Sequence, residues 1–137
     1  MGYEQYIGIP FLDHGRSRAG LDCWGLVVLV YKEQLGILLP DLGSFYSNAD
    51  IRREVQGAVQ DTVEKSWNRD VTGYPRRLYD VIVFKRGGIE THVGLWVKED
   101  TMLHVERNIC VALERYDTAR WKNKFSRVIR HVDLLGV

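Results

Sequence analysis

The sequence predicts an α+β fold, with one central N-terminal helix packed on an antiparallel meander sheet of about five or six strands. Three observations predict it. Apolar residues recur at helical spacing only in the first half of the chain, and strand-like runs rich in Val, Ile and aromatics fill the second half. The runs are separated by short turn pairs, which suit antiparallel neighbours. At 137 residues, 45% hydrophobic and 27% charged, the chain reads as a single domain, residues 1–137, with enough material for a core.

In chain order, residues 1–21 are expected to be irregular, since Gly8, Pro10, Gly15 and Gly20 interrupt them. A helix is predicted over 22–35. Asp22 is a suitable N-cap because its carboxylate can accept from the free N–H groups of the first turn. Leu26, Leu29 and Val30 set the period, and Gly36 is placed to end it. This helix is apolar nearly all round, which predicts burial. A second helix is predicted over 48–67, with Ile51, Val55, Val59 and Val63 as its buried stripe. Strands are expected at 79–85, 92–98, 101–106, 110–115 and 126–132, with a helical turn near 117–122.

Net charge is +1, so no strong attraction to nucleic acid or to an anionic membrane is built in. Cys23 and Cys110 are the only cysteines, too few for a disulfide framework. The opening residues lack the basic start and apolar run of a secretory leader, and no apolar run is long enough to span a bilayer. A soluble protein made in the cytoplasm is the expectation.

Cys23 is the most informative residue, because it falls on the first turn of the predicted buried helix. Unpaired N–H groups and the helix dipole favour a thiolate there, lowering a thiol pKa from about 8.5 toward neutral. The Cys23 backbone N–H could also stabilise an oxyanion. A buried structural thiol is the competing reading. His92 shares a strand face with Gly94 and Trp96, and it could accept the Cys23 proton. His104 lies on the next strand, paired antiparallel across a short turn, and could orient His92. Glu106 is a weaker candidate for that role.

Zinc held by Cys23 and the two histidines is an alternative, though the spacings match no standard zinc motif. Cys110, flanked by Ile109 and Val111, reads as a packed core thiol. Trp67 and Trp121 read as packing residues, and Trp24 and Trp96 as cleft-lining ones. The Arg16–Arg18 loop could meet a substrate carboxylate or simply be solvated. No phosphate-binding loop or nucleotide fingerprint is present.

Taken together, Leu21–Val27, Tyr79–Phe84, His92–Val97 and Met102–Val105 resemble the NlpC-type peptidases, a papain-like family that cuts bacterial cell-wall peptides. The resemblance extends from about Gly8 to Arg130. It implies a papain-like fold and a Cys23–His92–His104 triad without a cofactor. It also implies an acyl-enzyme thioester and a peptidoglycan stem peptide as substrate, met by Phe11, Asp22, Trp24 and Trp96. More narrowly, the chain looks like the bacteriophage tail-associated members. Trp24 stands where secreted enzymes usually have serine, and Ile7–Phe11 and Leu35–Pro40 flank the motif in the manner of that branch. This implies a place in a virion tail, with tail-tip or baseplate proteins as partners. A structural tail component that makes little use of the chemistry is the alternative. Acyl transfer on a lipid or small molecule, as in related papain-like folds, is a third reading. Two positions depart from the wider family: Phe11 replaces a tyrosine whose hydroxyl helps the site, unless Tyr6 substitutes, and Trp24 cannot bind a peptide amine as serine does.

Overall fold

The computed structural model describes residues 2–39 and 67–136. The helix expected over 48–67 lies outside the described residues, except for Trp67, which falls in a turn.

The N-terminal segment is more ordered than its glycines suggest. A 3-10 turn at Tyr3–Tyr6 is followed by a two-residue hairpin, β1 (Arg16–Ser17) and β2 (Gly20–Leu21). Helix α1 spans Cys23–Val30 and continues through a π-helical turn, Tyr31–Leu35, to Gly36 in the left-handed conformation (φ 66°). Both predicted boundary signals operate. Asp22 accepts from the Gly25 N–H at 2.7 Å, and Gly36 ends the helix. Its apolar side chains are buried on nearly all sides, Val28 alone being partly exposed. Each Leu or Val removed from water in this way contributes about 1.5–3 kcal/mol.

The second half forms a six-stranded antiparallel sheet. Its strands are β3 (Asn68–Asp70), β4 (Val81–Arg86), β5 (Ile89–Lys98), β6 (Thr101–His104), β7 (Ala112–Arg115) and β8 (Phe125–His131). A one-turn helix, α2 (Ala119–Lys122), precedes β8. The spatial order is β3-β8-β4-β5-β6-β7, so β4 to β7 form the expected meander. The last strand then returns to the other side of β4 and recruits β3.

Strand alternation divides the interior in two. Val81, Val83, Val93, Leu95, Val97 and Leu103 face α1 and form the main core. On the opposite face Ile82, Phe84, Met102 and Val128 gather around Trp121 of α2. Two buried polar contacts tie the frame together. The Tyr31 hydroxyl donates to the Tyr79 carbonyl at 2.6 Å, joining the end of α1 to the approach to β4. Arg130 of β8 forks onto both oxygens of Asp80 at 2.7 Å each, and Asp80 also accepts from the Arg77 N–H. Among the described residues no helix is long and apolar enough to cross a membrane.

Candidate active site

Cys23 is the first residue of α1 and is completely buried. The backbone around it is clamped from outside the helix. A Cβ on Gly25 would stand 2.0 Å from the Gly15 carbonyl oxygen, so only glycine lets the N-terminal loop lie against the helix start. Asp22 completes the clamp, accepting from Gly25 N–H, from Arg16 Nη1 at 2.7 Å and from His14 N–H at 3.2 Å. Its carboxylate is fully buried. Burial raises its pKa, against the lowering effect of these donors.

These contacts correct one expectation. Asp22 does not face a substrate, because its oxygens are taken up inside the protein. Arg16 is drawn onto Asp22, and Arg18 pairs with Glu33 at 2.7 Å, so the Arg16–Arg18 loop serves the fold. Trp24 is likewise not a cleft-lining residue: it is 2% exposed and packs in the main core.

The histidines meet as the strand register predicts. His92 Nε2 lies 3.0 Å from His104 Nδ1. Gly94 makes this possible. A Cβ there would press within 2.7 Å of Met102 Sδ and 3.4 Å of His104 Cβ, so its bare side lets β6 lie close. The chain of contacts continues from His104 Nε2 to Glu114 Oε1 at 2.8 Å. Glu114, on β7, went unnoticed in the sequence. Arg120 donates to both Glu114 oxygens at 2.8 Å and also to Glu106, which in turn accepts from Arg86 at 2.5 Å. Glu106 therefore anchors arginines and does not orient a histidine. Trp121 is more than general packing: the His92 ring stacks on it at 5.1 Å and the His104 ring meets it edge-on at 5.4 Å.

His92 and His104 are 2% and 4% exposed. Burial pushes the His92 pKa well below the ordinary imidazole value, and the charges of His104, Arg86, Arg120 and Lys124 act in the same direction. Burial also lowers His104, against the opposing pull of Glu106 and Glu114. Both rings are therefore neutral bases at pH 7. Their folded values lie below the unfolded value of about 6.5, so the unfolded chain takes up protons first as pH falls. Stability from this source is full above about pH 6.5 and is lost as pH drops through that value toward the folded ones. Urea unfolding should show a lower midpoint at pH 5.5 than at pH 7.5, with a smaller difference in His92→Gln. A midpoint indifferent to pH in this window would contradict the assignment.

The helix of Cys23 packs on the Val93 and Leu95 side, whereas His92 sits with Phe84 and Trp121 on the other. Beyond the bulge at Phe84/Lys85, β5 continues to Ile89 along β4. The β6 register, by contrast, runs only from Lys98 to Leu95 on β5. Among the described residues the N-terminal part of β5 is laddered to β4 alone, and its Glu90, Thr91 and His92 are buried.

His104, Glu106 and Glu114 bring donor atoms within 4.8 Å of one another, but Cys23 does not belong to this group. Both His104 nitrogens are engaged within the protein, and Arg86 and Arg120 already neutralise the two carboxylates. That donor set suits a hydrogen-bonded relay better than a cation. Phe11 lies under the Arg107 guanidinium, 5.2 Å away, on the wall of a groove of about 460 Å³ lined also by Pro10, Asp13 and Ile109. Cys110 borders the same groove and is exposed, contrary to the core position its neighbours suggested; Val111 takes the buried place. Tyr6 does not replace the missing tyrosine hydroxyl at the site. It donates to Glu33 Oε1 at 2.8 Å, ten residues along from Cys23, or about 15 Å of helical rise. Burial pushes its pKa up to about 12. Trp96 is partly exposed, on the same side of the sheet as Met102.

A cysteine on the first turn of a helix, packed on an antiparallel sheet that carries a hydrogen-bonded histidine pair, defines the papain-like class. The chain belongs to the NlpC/P60 family, which matches residues 8–130. It is 22% identical over 128 residues to the murein DD-endopeptidase MepS/murein LD-carboxypeptidase of Escherichia coli K12. That alignment covers 93% of this chain and 58% of the relative, so the chain spans little more than half its length. An NlpC/P60 family protein from Bacillus cereus ATCC 10987 shares the fold with a TM-score of 0.68 at 20% identity, over 94% of this chain and 37% of that one. RipD from Mycobacterium tuberculosis, described as a non-catalytic NlpC/p60 domain protein adapted to peptidoglycan binding, superposes with a TM-score of 0.58 at 19% identity, covering 94% and 90% of the two chains.

Proposed function

We propose that this protein is a cysteine peptidase that hydrolyses stem peptides of peptidoglycan, with Cys23 as nucleophile, His92 as base and His104 as the group that orients it. The observation that carries the reading is the linked chain His92–His104–Glu114, which starts on β5, the strand against which the helix of Cys23 packs. With Nε2 of His92 occupied by His104, Nδ1 is the atom left to receive the thiol proton. The thiolate attacks the peptide carbonyl, and N–H groups at the start of α1 stabilise the oxyanion. The imidazolium then protonates the leaving amine, and water, activated by the regenerated base, hydrolyses the thioester. Phe11, on the groove wall, and Trp96 remain candidates for substrate contact.

The reading extends to a setting at a phage tail tip, where the activity would open the cell wall for genome delivery. Trp24 in place of serine, together with the flanking Ile7–Phe11 and Leu35–Pro40 runs, supports that setting. One observation favours a second reading, a non-catalytic tail or peptidoglycan-binding module: the complete burial of Cys23. The two readings separate in one experiment. Peptidoglycan sacculi are digested with the wild-type protein and with Cys23→Ala, and soluble peptides are identified by mass spectrometry. Stem-peptide fragments released only by the wild type are expected. Identical profiles would leave the binding module as the better description.

A further inference from the structure

We propose that Glu114 is a positioning residue for the catalytic pair: through His104 it dictates which nitrogen of His92 is left bare to act as base. This rests on the reading of His92 as the base, and it extends the site by one member. The argument is one of hydrogen-bond polarity. A carboxylate has only acceptors, so His104 Nε2, 2.8 Å from Glu114 Oε1, must carry the proton and donate it. In a neutral imidazole that leaves His104 Nδ1 as an acceptor. His92 Nε2, 3.0 Å away, must then be the donor, and His92 Nδ1 holds a bare lone pair. Three side chains in series have one consistent arrangement, and the carboxylate at the far end selects it.

The carboxylate is itself held in place. Arg120 grips both oxygens of Glu114 from α2, and the same guanidinium is fixed by Glu106, which Arg86 of β4 engages from the other side. Trp121, next to Arg120 in α2, stacks on His92 and abuts His104, so the element that fixes the carboxylate also fixes both rings. The strand register explains the reach. Met102 pairs with Glu114 and His104 with Ala112, which puts Glu114 and His104 on one face, diagonal to each other. Without the carboxylate nothing in this chain of contacts prefers one tautomer of His104, and the wrong tautomer would turn the proton of His92 toward the thiol.

Histidine-selective ¹⁵N-labelled full-length protein tests this by long-range ¹H–¹⁵N correlation at pH 7.5. The wild type is expected to show both His92 and His104 protonated on Nε2 alone. Glu114→Ala should show a second tautomer at both rings. Glu114→Gln, which keeps one acceptor oxygen, should restore the single form. Circular dichroism checks the fold, and if Glu114→Ala does not fold, Glu114→Thr, suited to an edge strand and too short to reach His104, takes its place. In the peptidoglycan assay kcat should fall about 10- to 100-fold in Glu114→Ala with little change in KM, and recover most of that in Glu114→Gln. A wild type with bare Nε2 on either ring, or a folded Glu114→Ala with unchanged tautomers, overturns the proposal. Hydrolysis that survives Cys23→Ala would instead remove the peptidase reading, and it would leave the tautomer result to stand by itself.

Discussion

Replacing His92 by alanine is expected to lower kcat/KM on peptidoglycan fragments about 10²- to 10⁴-fold, the usual contribution of a positioned general base. The same change should move the pH midpoint for alkylation of Cys23 by iodoacetamide upward, toward the ordinary thiol value of about 8.5. The midpoint is a sharper measure than the rate at one pH. A thiolate of lower pKa is a weaker nucleophile, and the two effects partly cancel near neutrality. The exposed thiol of Cys110 would dominate the alkylation signal, so the measurement belongs in a Cys110→Ser background. Equal midpoints in the two proteins would show that His92 does not share a proton with Cys23.

The largest effect on stability is expected from Asp80→Ala. Arg130 is 5% exposed and both of its contacts to Asp80 are short, so removing the carboxylate strands a guanidinium inside the protein. Breaking a buried pair from one side costs about 3–5 kcal/mol, a large part of the 5–15 kcal/mol that holds a typical domain together. The Arg77 N–H loses its acceptor as well. Urea titration should show the midpoint fall with little change in slope. A combined Asp80→Leu and Arg130→Met variant should recover much of the loss, because it leaves no uncompensated charge. A loss below about 1 kcal/mol in Asp80→Ala would mean that solvent reaches Arg130 when the partner is gone.

What the sequence made legible was what local chemistry decides. Asp22 and Gly36 mark the limits of α1 because capping and left-handed backbone are matters of a few adjacent residues. The main strands were legible from alternation, and His92 and His104 could be placed together because a short turn fixes the β5–β6 pairing. β3 was not legible. Asn68, Arg69 and Asp70 carry no apolar alternation, and they form a strand only because β8 offers its edge. Cys110 misled because its apolar neighbours alternate with it, and the chain buries Val111 while turning the thiol outward. Glu114 was hidden for a different reason. Its relation to His104 depends on the β6–β7 register, which no residue type in the connecting loop announces. The roles of Asp22 and Trp24 reversed because burial, not adjacency to Cys23, decides what a side chain can touch.

The stacking of His92 on Trp121 has an optical consequence. Indole emission is sensitive to a charged imidazole in face-to-face contact, which withdraws excited-state electron density and quenches it. The ring that His92 stacks on is therefore also an indicator of the charge of His92, built into the protein beside the group it reports on.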